Sequence, residues 1–175
     1  MQQQLAAWMT ELGFASPAGW ERCYDSPNGD SKAASSTFHS QCDAHERTLS
    51  VAHTDGNGGR TFGGYAEKRW NAVSSGVDDS ATGNFLFQLG PAAAKYPPLT
   101  SDNQYDNPDC WPTWGGRPCL NMGYSGGALG ANGHCDAHST CPGLPDDFCG
   151  GDFMDRGTGA NSWGATEMEV WYALA

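Results

Sequence analysis

The spacing of apolar positions changes along the chain, and each change marks a different element. Leu5, Trp8, Met9 and Leu12 recur at i, i+3, i+4 and i+7, with Gly13 where a C-cap belongs. Residues 1–13 therefore read as a leading amphipathic helix. Trp20 to Tyr24 follows a Ser-Pro-Ala-Gly turn and reads as a strand. From Ser31 to His45, Ala34, Phe38 and Cys42 fall at i, i+4 and i+8, the pattern of a second helix with one buried face. The period then shortens to two. Leu49, Val51 and His53 alternate with Thr48, Ser50 and Ala52, a hairpin signal runs from Asp55 to Gly59, and Thr61 to Tyr65 is the returning strand. Phe85, Phe87 and Leu89 share one strand face, and Met168, Val170, Tyr172 and Leu174 another. Hairpin-linked strands with helices beside them predict a mainly β (α+β) fold. Its expected form is a two-sheet antiparallel β-sandwich with short flanking helices.

Between residues 91 and 164 periodicity fades, and only short apolar interruptions such as Cys119 to Met122 remain. With 24 Gly and 10 Pro in 175 residues, much of the chain must be turn and loop. The length fits a single domain over 1–175. Nine basic against twenty acidic residues leave a formal charge of −11, which disfavours nucleic acid and anionic membrane surfaces as partners. No apolar run approaches the roughly 20 residues needed to cross a bilayer, and no signal peptide opens the chain.

A loop of this length in a compact domain calls for staples, and the cysteines offer them. Five of the seven, Cys110, Cys119, Cys135, Cys141 and Cys149, fall within that Gly-rich stretch, and Cys23 and Cys42 lie upstream. Clustering of this kind reads as a disulfide framework, hence an oxidising, extracellular setting. Proximity offers Cys23 with Cys42 and Cys135 with Cys141, but does not determine connectivity. An odd number leaves one thiol unpaired or joined to another chain. Zinc held by His134, Cys135, His138, Cys141 and Cys149 is the competing reading, weakened by the absence of paired C-x₂₋₄-C knuckles. Cys-Asp-Ala-His occurs at both Cys42–His45 and Cys135–His138, which we read as coincidence.

Several segments, in order, resemble the TLDc domain family. Phe38-His39-Ser40-Gln41-Cys42-Asp43 is similar to its Phe-His-x-x-Cys-Asp, followed by Thr48-Leu49-Ser50-Val51 and Phe62-Gly63-Gly64-Tyr65 with Trp70 five residues on. Asn84 to Leu89 resembles the family's central strand, Trp111-Pro112-Thr113-Trp114-Gly115-Gly116 its Pro-x-Phe-Gly-Gly loop, and Glu167 to Trp171 its C-terminal strand. The leading helix with Trp8 looks like the one preceding this domain in protist members. The resemblance implies a two-sheet sandwich wrapped by short helices, with a packed aromatic at Trp114. It brings no established catalytic site, and for intracellular members it implies oxidative-stress protection and binding to the vacuolar proton pump. The chain departs from the pattern at Arg117-Pro118-Cys119-Leu120 and in a Cys-rich insertion from Cys135 to Asp155.

Three constellations bear on chemistry. Gly123-Tyr124-Ser125-Gly126-Gly127 matches the G-x-S-x-G hydrolase pattern, but a Gly-rich run follows where the nucleophile elbow needs a helix. Acidic residues gather first at Asp78, Asp79, Asp102, Asp106 and Asp109, then at Asp146, Asp147, Asp152 and Asp155; calcium favours such loop carboxylates, and the second group is the candidate site. Trp111 and Trp114 flank Pro112 in a Gly-rich loop, and if exposed they would stack on sugar rings or a partner protein. The expected function is a non-enzymatic extracellular interaction or structural module, assembling with copies of itself. The alternatives are a calcium-dependent or carbohydrate-binding module and the intracellular role that the resemblance implies.

Overall fold

The computed structural model describes residues 2–11, 19–26, 35–54, 60–71, 76–78, 83–89, 93–96, 104–114, 120–122, 134–135 and 165–174. Helix α1 spans Gln2–Glu11 and helix α2 Ser35–Cys42. Six strands form the main sheet: β1 (Trp20–Ser26), β2 (Thr48–Thr54), β3 (Arg60–Ala66), β5 (Phe85–Leu89), β6 (Ala93–Tyr96) and β11 (Ala165–Ala173). Their order is β1-β11-β2-β3-β5-β6, every pair antiparallel. Strands β4 (Gly76–Asp78) and β7 (Gln104–Asp106) make a two-stranded sheet. Strands β8 (Thr113–Trp114), β9 (Leu120–Asn121) and β10 (His134–Cys135) make a three-stranded one.

The mainly β, antiparallel fold with two short helices is the one the alternation predicts. Its second layer, however, is divided into two small sheets. Strands of two to four residues carry no readable periodicity, which is why the 91–164 stretch reads as loop although β6 to β10 lie within it. Helix α2 stops at Cys42 rather than running to His45: the Asp43 amide closes the last helical turn on the His39 carbonyl, and the His45 amide donates to Cys42. The predicted turn at residues 55–59 and the C-cap at Gly13 lie outside the described residues.

Register decides which side chains share a face. Ala52 opposes Phe62 and Met168, Ser50 opposes Gly64 and Val170, and Gly64 opposes Leu86. This face buries Tyr24, Ala52, Phe62, Leu86, Met168 and Val170 against Phe38 and Cys42 of α2, Trp70, and Trp111, Trp114, Leu120 and Met122 of the second layer. The other face carries Leu49, Val51, Tyr65, Phe85 and Phe87, covered by Trp8 of α1. Trp8 meets Phe85 edge-on at 6.2 Å, and Lys95 of β6 reaches Glu11 at 2.8 Å, fixing α1 across the sheet.

Strand β3 lets both layers approach because it carries Gly63-Gly64 at its centre. A Cβ on Gly64 would lie 2.4 Å from the Trp114 indole, and one on Gly63 would lie 1.9 Å from the Ser50 carbonyl oxygen. The Trp114 ring thus rests on bare backbone, and its Nε1–H donates to the Tyr65 carbonyl at 3.0 Å. Removing a Trp side chain from water is worth on the order of 4–6 kcal/mol before ordering costs. At the far end of β2 and β3, Arg47 adopts a left-handed φ of 56°. Its amide donates to Glu67 and its carbonyl accepts from Ala173, so one strained residue ties three segments together.

Candidate functional site

The densest polar chemistry among the described residues lies where α2 meets the segment after β7. Phe38 anchors the apolar face of α2, and the next residue, His39, turns toward Asn107–Cys110. Its ring is 6% exposed and its hydrogen-bonding atoms are all engaged. Nδ1 lies 2.8 Å from the Asp43 carboxylate, one helical turn on, and Nε2 lies 3.1 Å from the Asn107 carbonyl and 2.9 Å from the Cys110 carbonyl. Burial lowers the His39 pKa, but the hydrogen bond and charge of Asp43, with the two carbonyls, outweigh it and hold it above the ordinary value. The Cys110 amide closes the turn by donating to Asn107. The Ser35 hydroxyl adds a bond to the Pro108 carbonyl at 3.1 Å.

Cysteines border this corner. Cys23 of β1 and Cys42 of α2 form a disulfide, one of the pairings that proximity offers. Cys110 is a buried free thiol, with its pKa pushed up to about 11 by burial and the neighbouring Asp109 charge. It suits the unpaired seventh cysteine, but burial and a neutral thiol make it unavailable for a bridge between chains in the folded state. Cys135 lies in β10, while Cys119, Cys141 and Cys149 lie outside the described residues.

Trp111 and Trp114 are each 1% exposed. Trp111 packs against Tyr24 and Phe38, and Trp114 meets Trp70 edge-on at 5.4 Å. They offer no exposed stacking surface, so the reading of these indoles as a partner or glycan contact is corrected. Trp114 is buried against the bare backbone of Gly64 and Trp111 against rings of β1 and α2, contacts between distant segments that the loop's own composition does not reveal. Ser125 and the candidate calcium ligands Asp146, Asp147, Asp152 and Asp155 lie outside the described residues. Of the first acidic group, Asp106 is buried and accepts from Gln104 at 3.0 Å, whereas Asp109 is exposed.

A different carboxylate group forms on the other face of the main sheet. Asp25, Glu167 and Glu169 are cross-strand neighbours whose oxygens lie within 4.8 Å of one another, close enough to share a cation. Arg22 already occupies this position, 2.9 Å from Asp25 and 2.7 Å from Glu169, and its guanidinium lies over the Trp171 ring. The Glu169 hydrogen bond raises the Arg22 pKa further. The arrangement serves as an ion-pair ladder along the outermost strands. The convergence of Glu167 and Glu169 with Asp25 depends on β11 pairing with β1, which no local sequence pattern shows.

Nearby, the His45 ring stacks on Tyr172 at 3.7 Å and the Tyr172 hydroxyl donates to Glu21. Among the described residues the sheet ends on β1 at one side and β6 at the other, each paired along one edge. A family model, that of the TLDc domain, matches residues 1–172. No curated protein matches the chain.

Proposed function

The chain belongs to the TLDc domain family, and from that footing we propose that it works as a non-enzymatic extracellular interaction module that assembles with copies of itself. The observation that carries this reading is the state of β1. Among the described residues it pairs with β11 alone and so stands at the edge of the sheet, and the Cys23–Cys42 disulfide holds it to α2. A covalently braced edge is a ready template for strand addition, and the bridge itself belongs to an oxidising compartment. Glu21, Arg22 and Asp25 on this strand make such pairing selective, because a second copy must match their charges.

Sedimentation across a concentration series, paired with the denatured non-reduced mass after thiol alkylation, tests both parts. We expect assembly to grow with concentration and a single adduct, at Cys110. A monomer at every concentration overturns self-assembly, and seven adducts overturn the oxidising compartment. The family match itself favours a second reading, the intracellular TLDc role in oxidative-stress protection or proton-pump binding, and seven adducts would bring it forward. The glycan-binding reading loses its support with the burial of Trp111 and Trp114. Calcium binding at Asp146, Asp147, Asp152 and Asp155 is testable as a chelator-sensitive melting temperature.

A further inference from the structure

His39 faces acceptors on both sides: a carboxylate at Nδ1 and two peptide oxygens at Nε2. None of the three can donate. A neutral imidazole has one N–H and one lone pair, so either tautomer would aim its lone pair at an oxygen within hydrogen-bonding distance. Only the imidazolium, a donor at both nitrogens, matches this geometry. The ring is nearly sealed from solvent, so water cannot substitute for a lost partner. What the ring holds is also specific. Asn107 and Cys110 frame the turn that leads into Trp111 and the Thr113–Trp114 strand, the largest aromatics in the core.

We propose that His39 is a proton-held latch: its doubly protonated ring ties α2 to the 107–110 turn, and loss of the proton at higher pH releases that turn and loosens the aromatic layer behind it. The titratable group in contact with it is the Asp43 carboxylate on its own helix turn, and the segment whose carbonyls it meets also carries Asp109 and the Cys110 thiol. From β1 comes Cys23, which is disulfide-bonded and does not titrate. The Cys110 thiol stays neutral until about pH 11, so it does not take over the titration. Because His39 binds its proton more tightly when folded, the latch is fully engaged below the ordinary histidine value of about 6.5. Its contribution is lost as pH rises through the higher folded value. The fold is thereby held more firmly in mildly acidic surroundings than in alkaline ones.

Nitrogen-15 spectra of the histidine rings and amide exchange at Cys110, both on the full-length oxidised protein, test the latch. Both His39 nitrogens should keep their protons to a higher pH than those of an unfolded histidine. Above about pH 6.5 the opening constant of the Cys110 amide, corrected for intrinsic exchange, should rise by at most about tenfold per pH unit and level off once His39 has lost its proton. Asp43→Asn should move that plateau to lower pH, and His39→Gln should abolish the pH dependence. A His39 ring that loses its proton no later than an unfolded histidine, or Cys110 protection that does not change with pH, overturns the proposal. The ring spectrum of the unaltered protein decides the matter even if His39→Gln does not fold.

Discussion

Gly63 and Gly64 serve opposite faces of one strand, and the atoms they would displace differ in kind. Beyond Gly64 stands the Trp114 indole, a side chain that can tilt at the cost of its hydrogen bond to Tyr65. Beyond Gly63 stands the Ser50 carbonyl oxygen, which belongs to the sheet backbone. We therefore expect Gly64→Ala to lower the unfolding free energy by about 1–3 kcal/mol, the usual cost of overpacking, and Gly63→Ala to cost more. Urea denaturation followed by Trp fluorescence ranks them. Equal losses would mean that Trp114 is as immobile as the backbone. The same scale exposes what the residue string hides. Phe38-His39-x-x-Cys42-Asp43 is readable as a motif and His39 with Asp43 as an i, i+4 pair, yet the carbonyls of Asn107 and Cys110 that complete the arrangement come from nearly seventy residues away.

Among elements, the covalent join between β1 and α2 contributes most directly. Cys23 and Cys42 are 19 positions apart, and closing a loop of that size stabilises a fold by about 3 kcal/mol in the chain-entropy picture. Cys42→Ser should lower stability by about 2–4 kcal/mol, visible as a drop in urea midpoint, with β1 amides losing exchange protection first. Uniform loss across the sheet would show that β1 is held by its pairing with β11 instead. Elements of five or more residues were legible from the sequence: β1, β2, β3, β5 and β11 fall within or overlap the alternating runs, and α1 matches its i, i+3, i+4 stripe. The strands β7 to β10 were not, because two or three residues hold no period and their partners are set by tertiary contact. Trp111 and Trp114 share that cause: their loop composition does not show what buries them, which is the space beside Gly64 for Trp114 and the rings of Tyr24 and Phe38 for Trp111.

At the scale of the molecule, strand order outweighs any local contact. Strand β11 pairs with β1 on one side and β2 on the other, through Trp20 to Ser26 and Thr48 to Thr54. It also supplies Met168 and Val170 to the core. A chain ending at Gly164 lacks the connector between two early strands and should show neither dispersed amide resonances nor a cooperative thermal transition. A folded spectrum from that truncation would mean that β1 is dispensable and that β2 can stand as an edge.

The insertion of β11 also orders events in time. Synthesis delivers β1 and β2 long before the strand that lies between them, and the two cannot be joined through the sheet until residues 165–173 have left the ribosome. Until then the half-built sheet presents two strands awaiting the same partner, an invitation to chaperones or to a neighbouring nascent chain. Strand β11 is therefore what turns two separate early strands into one sheet, and a polypeptide that lacks it leaves both without their shared partner.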